Sequence, residues 1–145
     1  MQTNLATALE ELRRLEAAAL ERYRALAPTV SGPAERRLAE SVIERKGAHV
    51  AKLSTLPGAP GADGLELPDG WPFKAAGLMP ADDAARALLS LILNEESALS
   101  RSYAALAAAA VTAAPEASFA LRALADSSGK FALWAEEHLE LLGLG

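Results

Sequence analysis

Four stretches of the chain carry apolar residues at alternating steps of three and four, which is the pattern of helices packed side by side. Prolines stand at their limits: Pro28 stops the first stretch, and Pro33 and Pro115 open the second and fourth. Pro80 and two aspartates open the third stretch, where a helix dipole favours negative charge. The predicted helices span residues 3–27, 33–56, 80–111 and 115–142.

The segment between the second and third predicted helices, residues 57–79, is rich in Gly and Pro and cannot be helical throughout. It is too long for a tight turn, and Trp71 and Phe73 are candidate anchors on the helices that it crosses. A linker between two domains is less favoured, because neither half has enough apolar surface for a core of its own. We therefore predict a single all-α domain over 1–145, a four-helix bundle of two antiparallel helical hairpins joined by one long crossover.

Composition excludes several classes of function. The chain has no cysteine, which rules out disulfides, thiolate chemistry and cysteine-based metal sites. Its formal net charge is -5, with Arg and Lys interleaved with Glu, so neither nucleic acid nor a membrane is expected as a partner. The N-terminal stretch lacks the basic and then apolar pattern of a signal peptide, so we expect a cytoplasmic protein.

The seams of the first and third predicted helices match each other with an offset of 80 residues. In each seam the single charged residue is a glutamate, Glu16 or Glu96, followed one heptad later by a tyrosine, Tyr23 or Tyr103. A buried glutamate is costly unless it is paired, hydrogen-bonded, protonated or metal-bound. The same exception at two equivalent positions therefore indicates a polar site in the core.

The second and fourth predicted helices match with an offset of 82 residues, and their seams are interrupted by Lys46 with His49, and by Ser128. Antiparallel packing of the first hairpin puts Glu16 and Lys46 within about one helical turn of each other. The interruptions thus meet at one level of the bundle. The predicted polar core cluster consists of Glu16, Lys46, His49, Glu96 and Ser128.

With these residues the chain resembles the ferritin-like superfamily, most closely its rubrerythrin-like branch. In that pattern the first and third helices each give one Glu, the second and fourth each give a Glu-x-x-His pair, and together they hold two irons or manganeses. Glu16, Glu96 and His49 match this pattern. Lys46 stands where the second helix would give Glu, and the fourth helix has other residues at both of its ligand positions, Ser128 and Phe131.

The resemblance implies a di-metal centre, and this centre is degenerate because Lys46, Ser128 and Phe131 occupy three of the family's ligand positions. Our hypothesis is that the Lys46 ammonium lies between Glu16 and Glu96 in place of a metal, with His49 hydrogen-bonded alongside, so that the buried charges nearly cancel. This predicts a non-catalytic protein without a cofactor, whose partner is a second copy or an unidentified protein. The two tyrosines are expected to pack in the core with their hydroxyls bonded.

Three alternatives remain at this stage. In the first, Glu16, His49 and Glu96 bind iron or manganese in an oxidoreductase or iron-handling protein, beside the two tyrosines, while Lys46 points outward. In the second, Lys46 only covers the edge of the core and keeps its ammonium in water. In the third, the small residues near the centre make room for a small ligand. Those residues are Gly47, Ser128 and Gly129.

Overall fold

Four long helices make up most of the computed structural model, which describes residues 1–56, 62–75 and 83–144. They are α1 (Leu5–Leu26), α2 (Pro33–Thr55), α3 (Ala84–Ala110) and α4 (Pro115–Leu144). Two short strands, β1 (Gln2–Thr3) and β2 (Leu65–Glu66), pair antiparallel, and a 3-10 turn (Ala27–Thr29) follows α1. The prediction of an all-α bundle of packed helices is therefore confirmed.

The first helix begins later and ends earlier than we predicted, for local reasons. Thr3, predicted to be the first helical residue, instead belongs to β1, and α1 begins at Leu5. The side chain of Asn4 accepts a hydrogen bond of 2.8 Å from the backbone N–H of Thr7, so Asn4 caps the helix. At the other end, Pro28 falls within the 3-10 turn that tightens the exit from the helix.

The other helix limits differ from prediction by a few residues. The predicted start of the third helix, residues 80–82, lies outside the described residues, and α3 runs from Ala84. Asp83, predicted to lie in the first turn, is the N-cap and accepts a hydrogen bond of 2.8 Å from the backbone N–H of Arg86. The second helix ends at Thr55, one residue early, and α4 extends to Leu144, two residues beyond its predicted end.

Hydrogen bonds between helices show that neighbouring helices run in opposite directions. Arg13, in the first half of α1, donates to the carbonyl of Leu53 near the end of α2 at 2.7 Å. Ser118, at the start of α4, donates to the carbonyl of Ala107 near the end of α3 at 2.6 Å. Tyr23 of α1 bonds to Glu96 of α3, whereas Glu16, earlier on α1, bonds to Tyr103, later on α3. These contacts orient both α2 and α3 antiparallel to α1.

The described part of the connecting segment, residues 62–75, lies along α1 and α3. It is tied to the start of α1 by the hydrogen bond from Leu5 N to the Ala62 carbonyl, at 3.0 Å, and by the β1–β2 pairing. It then reaches α3, where the Trp71 indole N–H donates to the Ser102 carbonyl and the Phe73 N–H donates to the Ser102 hydroxyl, both at 2.9 Å. Both predicted anchors therefore contact α3. Residues 57–61 and 76–79 of the predicted crossover lie outside the described part.

The core follows the predicted seams closely. Nearly every seam residue is buried, and the few that are only half-buried lie at helix ends. The half-buried ones are Leu26, Glu35, Leu56, Ala85 and His138. No helix in the described part of the chain is both long and apolar enough to cross a membrane.

The contact between Trp71 and α3 should contribute measurably to stability. We expect Trp71→Ala to lower the free energy of unfolding by about 3 to 5 kcal/mol, because it removes a buried indole and its hydrogen bond. Urea denaturation followed by helical circular dichroism measures this. Lys74→Ala, at an exposed position of the same segment, is the control and should cost less than about 0.5 kcal/mol. Equal losses in the two variants would contradict the anchoring role of Trp71.

Candidate functional site

A buried ammonium joins two buried carboxylates at the centre of the bundle. Lys46 Nζ, from α2, lies 2.5 Å from Glu16 Oε2 on α1 and 2.8 Å from Glu96 Oε2 on α3. It also donates to Glu96 Oε1 at 3.1 Å. All three side chains have no exposed surface. Each charge therefore depends on the others for the stabilisation that water would otherwise provide.

Two tyrosines complete this cluster by bonding across it. The Tyr23 hydroxyl on α1 donates to Glu96 Oε2 on α3 at 2.7 Å. The Tyr103 hydroxyl on α3 donates to Glu16 Oε1 on α1 in a short hydrogen bond. Each helix thus gives one hydroxyl and one carboxylate to the other. Both carboxylates consequently contact an ammonium and a phenol, which satisfies the larger part of their demand for donors.

His49 lies beside the cluster, but the structure differs from the predicted hydrogen bond. Its Nδ1 is 3.7 Å from Glu16 Oε1, which is too long for a hydrogen bond. His49 instead shares a hydrogen bond of 2.8 Å between its Nε2 and the hydroxyl of Ser127 on α4. Its ring also stacks on Phe131, with 5.3 Å between ring centroids. His49 therefore links the cluster to α4.

Ser127 is the residue that the sequence pattern missed. The seam pattern selected its neighbour Ser128, which is fully buried but makes no hydrogen bond to the cluster in the described structure. Consecutive serines differ by about 100° around a helix, so a seam pattern distinguishes them poorly. The only available signal was that a buried histidine needs a polar partner, which a serine near the edge of the seam could supply.

The small residues of the predicted ligand space have different surroundings. A Cβ built on Gly129 would lie 3.4 Å from the hydroxyl of Ser100, which is about an ordinary contact distance. A Cβ built on Gly47 would meet nothing within 4 Å. The Ser128 hydroxyl is buried and has no partner in the described structure. Packing with neighbouring helices therefore does not require either glycine.

Burial and mutual attraction act in opposite directions on the charged groups. Burial alone would raise the pKa of Glu16, but the nearby His49 and the charge of Lys46 outweigh it and lower that pKa. For Glu96, burial dominates over the attraction of Lys46 and raises the pKa. Burial would lower the pKa of Lys46, yet the two carboxylates raise it above its usual value. Lys46 is therefore a firmly charged ammonium.

The residues present do not fit a di-metal centre. An ammonium has only donors, so Lys46 cannot coordinate a metal, and it occupies the position between the two carboxylates. Within the described residues no group of three or more Asp, Glu or His side chains is arranged to hold a metal ion. Lys46 has no exposed surface, so its side chain neither points outward nor keeps its ammonium in water, as two of the alternatives had it.

Comparison of the chain with protein-family models, curated proteins and solved structures finds no match. The chemistry open to the cluster follows from its own groups. The charge of Lys46 offsets part of the charge of Glu16 and Glu96, and all three side chains have no exposed surface, so a substrate could reach them only if the helices moved apart. This arrangement suits a structural role in the core better than turnover of a substrate.

The tyrosines allow the cluster to be observed directly, since the only two tyrosines of the chain both belong to it. Burial, and then the charge of the glutamates that accept their hydrogen bonds, raises the pKa of both Tyr23 and Tyr103 well above the usual value. In the unfolded chain tyrosines lose their protons near about pH 10. Above that pH the folded protein binds more protons than the unfolded chain, so stability falls as pH rises.

We therefore expect tyrosinate absorbance to appear only together with the loss of helical circular dichroism during an alkaline titration. Lys46 acts in the same direction, because its pKa is also raised in the folded protein. Tyr23→Phe is the matched control and should halve the absorbance change. Reversible ionisation of both tyrosines near about pH 10, with the helices intact, would contradict the burial of the cluster.

Proposed function

We propose that this chain is a non-catalytic helical bundle of ferritin-like connectivity, in which the Lys46 ammonium replaces a metal and which acts by binding another protein chain. The observation that carries the proposal is the pair of contacts from Lys46 Nζ, at 2.5 Å to Glu16 and 2.8 Å to Glu96. The cation that such glutamates require is thus part of the chain itself. No loaded cofactor is needed for the core to form.

The directions of the helices support ferritin-like connectivity. Since α2 and α3 are both antiparallel to α1, they run parallel to each other, and the segment between them has to return along the bundle. Residues 62–75 follow such a path, from the start of α1 to the middle of α3 at Ser102. One long connection between two antiparallel helical hairpins distinguishes this topology from a simple up-and-down bundle.

Charge balance supports a metal-free centre. With Lys46 charged, the two glutamates and the ammonium carry at most a single excess negative charge. A divalent cation entering this site would face the ammonium at close range in a region without water, where repulsion is strong. Binding a metal would therefore require displacing Lys46.

The first test removes the ammonium. Lys46→Met leaves two buried carboxylates without a cation, so we expect the free energy of unfolding to fall by about 3 to 5 kcal/mol. The matched control combines Lys46→Met with Glu16→Gln and Glu96→Gln, which removes the uncompensated charge as well. It should be more stable than Lys46→Met alone by about 2 kcal/mol. An unchanged unfolding midpoint in Lys46→Met would refute the proposed role of the ammonium.

The second test restores a carboxylate at the altered position. Lys46→Glu recreates a Glu-x-x-His pair with His49, so we expect this variant, unlike the native protein, to bind manganese or zinc in a thermal-shift assay and by elemental analysis. Lys52→Glu, at an exposed position of the same helix, is the control and should bind no metal at the core. Stoichiometric metal in the native protein, purified without added metal, would overturn the proposal in favour of an iron or manganese protein.

A further inference from the structure

The outer face of α4 exposes large apolar side chains along one line. Phe119, Leu133 and Leu141 have 78%, 51% and 63% of their surface exposed, and they are three of the five large exposed apolar residues in the described part. Counted from Phe119, the two leucines lie close to about four and six whole helical turns further on. All three therefore point away from the core in nearly the same direction. They are about 21 and 12 Å apart along the helix axis, so they are separate apolar points on one face and could be covered together only by a partner as long as a helix.

Charged residues of both signs are interleaved with this row. Arg122, Asp126, Lys130 and Glu137 are exposed on the same side of α4. None of the four takes part in an ion pair within the described chain. Glu116 and Glu140 are exposed on the same side as well, so the face offers no excess of positive charge to nucleic acid or to an anionic lipid surface. The alternating charges of Arg122, Asp126 and Lys130 suit a partner surface that carries charges of opposite sign at matching positions.

We infer that this face binds α4 of a second copy of the chain. The two α4 helices run antiparallel, and the two-fold axis crosses the exposed face at the level of residue 128. This inference rests on the proposal that the bundle acts by binding a protein, and it names the partner and the surface. In this arrangement Asp126 of one protomer faces Lys130 of its partner, and by symmetry the contact occurs twice. Leu133 then faces the small exposed Ala123 of the partner. The opposite charges of Asp126 and Lys130 and the sizes of Leu133 and Ala123 agree in this register, whereas Glu116 faces Glu140 of the partner at the outer ends of the contact.

The remaining apolar residues fit this register as well. Phe119 lies opposite Glu137 of the partner, so its ring falls between the partner's Leu133 and Leu141, each about one turn away. Arg122 of the first protomer comes within reach of the partner's Glu137, so a positive and a negative side chain lie on either side of the Phe119 ring. Exposed Pro115, at the start of α4, lies opposite the partner's Leu141. A parallel pairing would instead place Asp126 opposite Asp126 and Lys130 opposite Lys130.

The test exchanges charges across the axis. Asp126→Lys and Lys130→Glu each place like charges opposite each other twice, so either single variant should weaken dimerisation about tenfold. The combination Asp126→Lys with Lys130→Glu restores opposite charges and should return the dissociation constant to within about threefold of the native value. Sedimentation equilibrium over a wide range of protein concentration measures all of them, with circular dichroism to verify folding. Glu21→Lys, an equal charge change at an exposed site on α1, is the control and should leave the dimer unchanged.

Two outcomes would overturn the inference. One is a native chain that stays monomeric at every concentration, including a monomer that binds vesicles or another protein through this face. The other is a doubly exchanged variant that dimerises as poorly as the single ones, because a two-fold antiparallel contact requires rescue. Elemental analysis of the same samples tests the metal-free core separately. A metal-containing dimer would contradict the proposed core, whereas a metal-free monomer would contradict only the dimer.

Discussion

The ammonium of Lys46 is the group on which the arrangement of the helices depends. It comes from α2 and reaches Glu16 on α1 and Glu96 on α3, so it joins three helices in the least hydrated part of the molecule. Apolar seams alone tolerate a shift of one helix along another, because most side chains meet similar neighbours. Here a shift by one turn, about 5.4 Å, would separate the buried ammonium from carboxylates that have no other partner of opposite charge among the described contacts. The cluster thus selects one axial alignment among several that burial alone would permit.

The helices and their inward faces were predictable because a packed helix imposes a period of about 3.6 residues on its sequence. Glu16, Lys46 and Glu96 were recognisable for the same reason, as charges at positions where that period demands apolar residues. The exact helix starts were not, since they depend on the side chains of Asn4 and Asp83 accepting single backbone hydrogen bonds. A single capping residue does not alter the periodic pattern of apolar residues, so that pattern does not reveal it.

Two other features were beyond the reach of sequence patterns. The pairing of β1 with β2 joins segments far apart in the chain, and strands of two residues are too short to show alternation. The hydrogen bond from His49 to Ser127 depends on how far α4 is rotated about its axis. A rotation of one residue, about 100°, exchanges Ser127 with Ser128. Patterns locate a helix face, but only packing against neighbours determines that rotation.

The crossed bonds between tyrosine and glutamate have a consequence for the symmetry of the core. Tyr23 with Glu96 and Tyr103 with Glu16 are exchanged by an internal two-fold relation between the two helical hairpins. Lys46 breaks that relation, because its counterpart on α4 is Ser128. Two identical hairpins assembled as a symmetric dimer would contain two such lysines or none. A core that contains a single ammonium is therefore open only to two hairpins whose sequences differ at this position, as the two hairpins of one chain can.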